Sequence, residues 1–130
     1  MSKENVETLL RGYEAWNRRD LEAALELLDP EIEWRFSDPE VTLPDGALEY
    51  HGHDGVTRFW AQLVEPLPEL QIDVERTLDT DDYVVAFIRF RATAINQPSV
   101  HVWKIRDGKA LTFTAYNDPD RALEAVGLSK

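Results

Sequence analysis

Apolar side chains in the first half of the chain recur three or four residues apart, which is the spacing of a helix with one buried face. This pattern covers residues 4–18 and predicts an amphipathic helix. Asp20 has the side chain of an N-cap and predicts a second short helix, which Asp29-Pro30 would stop. Helical spacing returns over residues 54–64 and ends before two prolines. The first half of the chain is therefore predicted to supply three helices.

The second half alternates polar and apolar residues and predicts a succession of strands. A first strand is predicted earlier, at residues 31–36, where charged and apolar residues alternate. Asn96-Gln97-Pro98 and Asp107-Gly108 are both turn sequences, and the second is typical of a tight hairpin. The four later strands are predicted at residues 70–78, 83–95, 99–105 and 110–116.

Two further segments complete the predicted order of elements. Residues 37–55 are rich in Pro, Gly and Asp, and are predicted to be irregular with a short hairpin or lid that ends near Tyr50. At the other end of the chain, Asp118 caps a last short helix that has Pro119 in its first turn and Gly127 just past its end.

Helices that come first and strands that follow in succession predict an α+β fold with a mostly antiparallel sheet and helices on one face. The length of 130 residues suits one domain, and neither an internal repeat nor a Gly/Ser linker marks a boundary. We therefore expect residues 1–130 to form a single domain.

Composition narrows the classes of partner. The 25 acidic residues against 14 basic ones give a net charge of −11, which disfavours nucleic acid and anionic membranes as partners. The start of the chain is polar and the sequence has no apolar run near the ~20 residues that a membrane helix needs, so a cytoplasmic protein is expected. Without cysteine, disulfides, thiolate metal sites and a cysteine nucleophile are excluded.

Three segments carry a resemblance to a known family: WNRRDLEAALELLDPEIEW, YHGHDGVTRFW and HVWKIRDGKALTFTAYNDPDRALEAVGL. Together they resemble the SnoaL-like branch of the nuclear transport factor 2-like superfamily, over nearly the whole chain and in the same order of elements. The resemblance implies a cone, in which a strongly bent sheet wraps around three helices and opens into a pocket. The family includes ketosteroid isomerases, polyketide cyclases and non-catalytic binding modules, so the fold does not fix the function.

The catalytic sets of this family transfer incompletely. The tyrosine donor of ketosteroid isomerases falls on Gly12, and their general-base aspartate falls on Phe36, with Asp38 two residues later. Their protonated aspartate falls on His101, and the acidic residue of polyketide cyclases falls on Ala115. The resemblance therefore implies a pocket without implying a reaction.

His101 is the best candidate for chemistry. It lies in an apolar strand, on the face opposite Val100 and Val102, and histidine can accept and donate protons near neutral pH. The alternative is a core histidine that bonds to the backbone or lies at a subunit contact.

Arg89 is the second catalytic candidate, because an arginine in a desolvated pocket would bind a carboxylate, phenolate or enolate through two hydrogen bonds. Limonene epoxide hydrolase, another relative, uses an Arg-x-Asp pair, of which Arg89-Phe90-Arg91 retains the arginine. Both arginines could instead lie on the outer face and pair with acidic residues of a neighbouring strand. The family register favours Arg89 inside.

No metal and no cofactor are expected. His51 and His53 lie two residues apart on a predicted loop, but a metal would need a third and a fourth ligand to converge there. We interpret His53 and Asp54 as the start of a helix.

A small apolar or aromatic molecule is the expected partner, because the predicted pocket wall is mostly aromatic. Two hypotheses follow: a cofactor-free acid–base enzyme that uses His101 and Arg89, or a non-catalytic ligand-binding or dimerisation module. A homodimer is also expected, through the sheet face that bears Ile88, Val102 and Thr112 or their neighbours of opposite parity. The predicted ligand-binding residues are Trp16, Trp34, Phe36, Phe59, Trp60, Phe87, Phe113 and Asn117.

Overall fold

The computed structural model describes residues 2–36, 49–80, 82–93 and 95–127 and shows an α+β fold. Its helices within these ranges are α1 (Ser2–Asn17), α2 (Leu21–Glu26), α3 (Gly52–Leu63) and α4 (Pro119–Ala125). Its strands are β1 (Leu28–Phe36), β2 (Glu49–His51), β3 (Gln71–Asp79), β4 (Tyr83–Ala92), β5 (Ile95–Arg106) and β6 (Lys109–Tyr116).

The six strands form one open sheet in the order β2-β1-β6-β5-β4-β3. β1 and β6 are parallel, and every other neighbouring pair is antiparallel. The register shifts in the β1–β6, β3–β4 and β5–β6 pairs, and such bulges bend and twist a sheet. The expected α+β fold, with a bent and mostly antiparallel sheet, is confirmed.

The C-terminal end of α1 is tied to the start of β3. The side chain of Asn17 donates to the carbonyl of Ile72 at 2.9 Å and accepts from the amide of Ile72 at 2.8 Å. Arg19, at a positive φ of 64°, donates to the carbonyls of Leu67, Pro68 and Leu70. These bonds hold α1 over the concave face of the sheet.

The predicted caps and hairpin are confirmed. Asp20 accepts from the amide of Ala23 at 3.0 Å, and Asp118 accepts from that of Asp120 at 2.9 Å. Asp107 and Gly108 have φ values of 54° and 77°, so both central residues of the hairpin adopt the left-handed conformation that tight hairpins favour.

Several predicted boundaries were wrong. Residues 96–98, predicted as a turn, belong to β5 and pair with residues 89–91 of β4. Pro98 is tolerated there because β6 ends opposite Val100, so this part of β5 has a neighbour on one side alone. Asp29-Pro30 lies inside β1, beyond the end of α2, and α3 begins two residues earlier than predicted.

The two faces of the sheet carry separate apolar clusters. The concave face packs against α1 and α3 and holds most of the core, which includes Ile32 and Ile88. On the outer face, Val85, Val100 and Val102 pack with Ala122 of α4. Ile88 is therefore not on the face expected for a dimer contact, because β4 alternates so that Ile88 points inward.

Among the described residues, the helices are each too short or too polar to cross a membrane.

Candidate active site

A cavity of about 350 Å³ lies between the concave face of the sheet and the helices α1, α2 and α3. This volume is at the lower end of the range typical of small-molecule sites. All but two of the predicted site residues line it: Trp16, Trp34, Phe36, Phe59, Trp60, His101, Phe113 and Asn117. Their roles in binding or catalysis stay predictions.

Arg89 and Phe87 lie on the outer face, so their predicted places in the pocket were wrong. Ala86 is directly opposite His101, and the residues of β4 that face the cavity are therefore the even-numbered ones. Arg89 donates to a carboxylate oxygen of Glu75 at 3.0 Å and is held in an outer ion pair. Phe87 lies beneath the guanidinium of Arg76, at 4.3 Å from the ring centre.

A chain of hydrogen bonds ends at the cavity. The indole N–H of Trp103 donates to the hydroxyl of Tyr13 at 3.0 Å, and this hydroxyl is 2.7 Å from Nδ1 of His101. An indole nitrogen can donate but not accept, so the Tyr13 oxygen is the acceptor in the first bond. If Tyr13 in turn donates to Nδ1, the indole N–H of Trp103 and the hydroxyl of Tyr13 are both used as donors. This arrangement keeps the ring proton of His101 on Nε2.

Tyr13 and His101, the two titratable residues in this series of hydrogen bonds, are both held neutral. Burial lowers the pKa of His101 to about 3, because the imidazolium would lose its hydration. Burial also raises the pKa of Tyr13 above its ordinary value, and the hydrogen bond from Trp103 opposes this only in part. At neutral pH the cavity therefore contains an uncharged imidazole and an uncharged phenol.

Tyr13 is a candidate site residue that the sequence prediction did not include. The family register puts the tyrosine donor on Gly12, whereas Tyr13 falls in the apolar pattern of α1. Tyr13 is indeed part of that pattern, four residues after Leu9 and three before Trp16, and it is buried. A buried tyrosine hydroxyl generally requires a hydrogen-bond partner. This requirement is the signal from which a pairing of Tyr13 with the buried His101 could be predicted.

Four residues of β5 on its inner face line the cavity. Gln97 is exposed, whereas Ser99, His101 and Trp103 are buried. The hydroxyl of Ser99 donates to the carbonyl of Tyr116 at 3.1 Å. The hydroxyl of Ser99 is thus already used within the protein. Asp38, which lies two residues after the position of the general-base aspartate, is outside the described residues.

The two other histidines have partners of their own. His53 in α3 is 2.9 Å from the carbonyl of Leu28, and the exposed His51 is 3.5 Å from a carboxylate oxygen of Glu31. Across the described ranges, no group of three or more His, Cys, Asp or Glu side chains converges as metal ligands would.

The model of the SnoaL-like domain family matches residues 9–112, which include the second half of α1, α2, α3, the strands β1 to β5 and the first half of β6. The chain belongs to the SnoaL-like family. No curated protein matches the sequence. The expected membership of this branch of the nuclear transport factor 2-like superfamily is confirmed.

This SnoaL-like chain is similar over almost its whole length to several solved structures. One is a nuclear transport factor 2-like protein of unknown function from Burkholderia pseudomallei K96243, with 28% identity, 98% of each chain covered and a TM-score of 0.75. Another is TerC co-crystallised with polyporic acid, with 26% identity, 96% of this chain and 97% of that one covered, and a TM-score of 0.73.

A third structure supports the fold alone. It is a putative SnoaL-like polyketide cyclase from Jannaschia sp. CCS1, with 22% identity, 97% of this chain and 90% of that one covered, and a TM-score of 0.76.

Proposed function

We propose that this SnoaL-like protein binds a small, largely apolar aromatic molecule in its cavity, with the Tyr13–His101 pair as a polar contact for the ligand. The observation that carries the proposal is the hydrogen-bonded chain from Trp103 through Tyr13 to His101, which ends in a cavity of about 350 Å³. The co-crystallisation of TerC with polyporic acid supports a ligand site in a fold of this kind.

The wall of the cavity suits an aromatic ring. Trp34 stacks on Phe113 with ring centres 4.0 Å apart, and Phe113 meets the His101 ring edge-to-face at 4.7 Å. Aromatic pairs in these geometries are favourable beyond the area they bury. A flat ligand can continue the same stacking at the surface of the wall.

The polar contact is neutral. Nδ1 of His101 is occupied by Tyr13, and Nε2 takes no hydrogen bond from the described residues, so Nε2 is the nitrogen that remains for a ligand. A neutral imidazole that carries its proton on Nε2 can donate to a carbonyl or ether oxygen. Neutral histidine can also polarise a carbonyl group in this way during catalysis.

Acid–base catalysis is the second candidate function. It is favoured by the strongly lowered pKa of His101, since perturbed ionisable groups in pockets are enriched at active sites. Arg89 has no part in it, because its guanidinium is bound to Glu75 on the outer face. The catalytic candidates are therefore Tyr13 and His101.

A cavity-filling substitution tests the binding function. Ala115 lies on β6 directly opposite His101 and lines the cavity, so Ala115→Phe would place a ring in the ligand site. Its matched control is Thr114→Phe, because Thr114 directly precedes Ala115 on the same strand and faces outward. Calorimetric titration with tetralin, 1-tetralone and 1-tetralol should show binding by the wild type and by Thr114→Phe. Ala115→Phe should bind at least tenfold more weakly.

Failure of the wild type to bind any of the three compounds, or equal binding by Ala115→Phe and Thr114→Phe, would contradict the proposal. Catalysis is measured separately, as deuterium incorporation from D₂O at the carbon next to the carbonyl of 1-tetralone. If the protein is an acid–base enzyme, His101→Gln should slow this exchange by about 10²–10⁴-fold. Exchange at the uncatalysed rate in the wild type would exclude catalysis with this ketone and leave binding intact.

A further inference from the structure

Two indole N–H groups in the cavity wall lack a hydrogen-bond acceptor. Nε1 of Trp16 and Nε1 of Trp34 are buried, and neither has a partner within the part of the chain that the structure describes. The residues themselves are 8% and 4% exposed, and both line the cavity. By contrast, the indole of Trp103 donates to Tyr13. Because nearly all buried donors in proteins are paired, two unpaired ones in a single cavity wall require an explanation.

The two indoles belong to the same aromatic wall as His101. Trp16 is on α1 and Trp34 is on β1, and their rings are nearly parallel, with centres 6.2 Å apart and an angle of 11° between the planes. Trp34 stacks on Phe113, which in turn contacts His101. A ligand that stacks on Phe113 would therefore lie beside both Trp34 and His101.

The hydrogen-bonding capacity of the cavity favours a ligand that accepts. The oxygen of Tyr13 already accepts from Trp103, that of Thr8 accepts from Arg11 at 3.3 Å, and the hydroxyl of Ser99 is used on a carbonyl. A ligand with phenol or amine donors would find few acceptors in the deep cavity. Hydrogen-bond donors without an acceptor among the described residues, in contrast, are present at two places: Nε2 of His101, and the indole nitrogens of Trp16 and Trp34.

Charge narrows the class of ligand further. Among the described residues that line the cavity, there is no Lys, Arg, Asp or Glu. A carboxylate ligand would be buried without a cation, and burial of an unpaired charge is far more costly than burial of a neutral carbonyl. The remaining class is a neutral aromatic compound with a carbonyl oxygen, such as an aryl ketone, a quinone or a lactone.

We infer that Trp16 and Trp34 form a binding site for the neutral carbonyl oxygen of an aromatic ligand. This inference rests on the proposed function of the same cavity and adds the class of ligand and the residues that select it. The indoles donate to the oxygen, and the stacked wall of Trp34 and Phe113 holds the ring. Both nitrogens are buried in the structure, so this site requires the indole rings to turn until their N–H groups face the oxygen.

The test compares 1-tetralone with tetralin, which has the same ring skeleton without the carbonyl. The chain has four tryptophans, so its ¹⁵N-labelled indole N–H groups give four signals in a two-dimensional NMR spectrum. Addition of 1-tetralone should move the Trp16 and Trp34 signals downfield, as a new hydrogen bond does. Tetralin should leave them near their original positions. Each signal is assigned by the Trp→Phe variant that removes it.

Affinity provides the second measurement. Wild type should prefer 1-tetralone to tetralin, and Trp16→Phe or Trp34→Phe should reduce that preference by about fivefold, the usual contribution of one neutral hydrogen bond. Tyr83→Phe is the control, because Tyr83 packs in the cluster on the outer face of the sheet, and it should keep the preference.

The outcomes separate this inference from the proposed function. If both compounds bind equally and neither indole signal moves, the indoles do not donate hydrogen bonds to the carbonyl oxygen, although the cavity still binds ligands. The edge-on contacts of Trp16 with Trp60 and of Trp34 with Trp103 would then account for the two N–H groups as donors to aromatic faces. If neither compound binds, both proposals are overturned.

Discussion

The buried pair of Tyr13 and His101 couples the site to the stability of the protein. Their hydroxyl and ring nitrogen are 2.7 Å apart, and both residues are nearly inaccessible to water. Such an arrangement is stable only while both groups are neutral. Protonation of the imidazole would place a charge in an apolar wall with no carboxylate among the residues that line it.

Stability should therefore depend on pH through His101. In the unfolded chain the imidazole titrates near its ordinary pKa of 6.5, whereas burial lowers the pKa to about 3 in the folded state. The unfolded state thus binds the proton first, and stability falls as the pH drops through this interval. The slope contributed by this one group is at most about 1.4 kcal/mol per pH unit. Above about pH 7.5, where the unfolded imidazole is also neutral, its contribution is constant.

His101→Gln should remove this slope, since the Gln side chain can still accept from Tyr13 but does not titrate. Between pH 6.5 and pH 5 the wild type should lose about 1.6 kcal/mol more of its free energy of unfolding than the variant does. Urea denaturation at several pH values measures the difference. His51→Gln removes an exposed imidazole instead and should keep the wild-type slope. Parallel curves for wild type and His101→Gln would show that His101 is accessible to protons in the folded state.

Among the elements, α1 has the greatest effect on the site, because it carries both Tyr13 and Trp16. Its C-terminal end is positioned by the two hydrogen bonds between the Asn17 side chain and the backbone of Ile72. A side-chain amide here continues the hydrogen-bonding pattern of β3, an edge strand. The geometry of the site thus depends on a residue that does not line the cavity.

Asn17→Ala should lower the free energy of unfolding by about 1–3 kcal/mol, because it leaves the amide and carbonyl of Ile72 unpaired. It should also weaken the binding of 1-tetralone, since α1 is less firmly held. Arg18→Ala is the control, because the ion pair of Arg18 with Asp20 at 3.6 Å is exposed and contributes little. Equal midpoints of urea denaturation for the two variants would contradict a special role for Asn17.

Sequence pattern predicted the elements well but not the faces of the strands. The caps at Asp20 and Asp118 and the hairpin at Asp107 are local signals, and each was found correctly. The inward face of β4 could not be read locally, because one face is apolar and the other mixes Val85 and Phe87 with arginines. The register that places Ala86 opposite His101 decides which face of β4 points inward, and this register is set by the pairing of strands and not by the local sequence.

The outer face bears on the assembly of the whole molecule. α4 already covers its centre through Ala122, and the half-buried Leu78, Tyr83 and Phe87 lie around that contact. Thr112 and Thr114 are also outward on β6. The predicted homodimer would have to use this periphery, where apolar and polar side chains mix.

We propose that two copies associate through the outer face around Phe87. Light scattering at micromolar concentration should give the mass of two chains, and Phe87→Glu should reduce it to one, because a buried carboxylate would disrupt the contact. Leu10→Glu is the control, since Leu10 is exposed on α1, away from that face. Circular dichroism shows whether each variant remains folded. A monomeric mass for the wild type would overturn the proposal.

The parallel pairing of β1 with β6 has a consequence for the way the chain folds. The contact between Tyr13 and His101 spans 88 residues of sequence, and β1 has no parallel neighbour until β6 has been synthesised. Non-local pairings of this kind slow folding, because the intervening loop must close first. On the ribosome, Trp16, Trp34 and Phe59 emerge long before the strands that cover them. The nascent chain therefore exposes the aromatic residues of the cavity wall to water, and the cavity closes only after β6 has paired with β1.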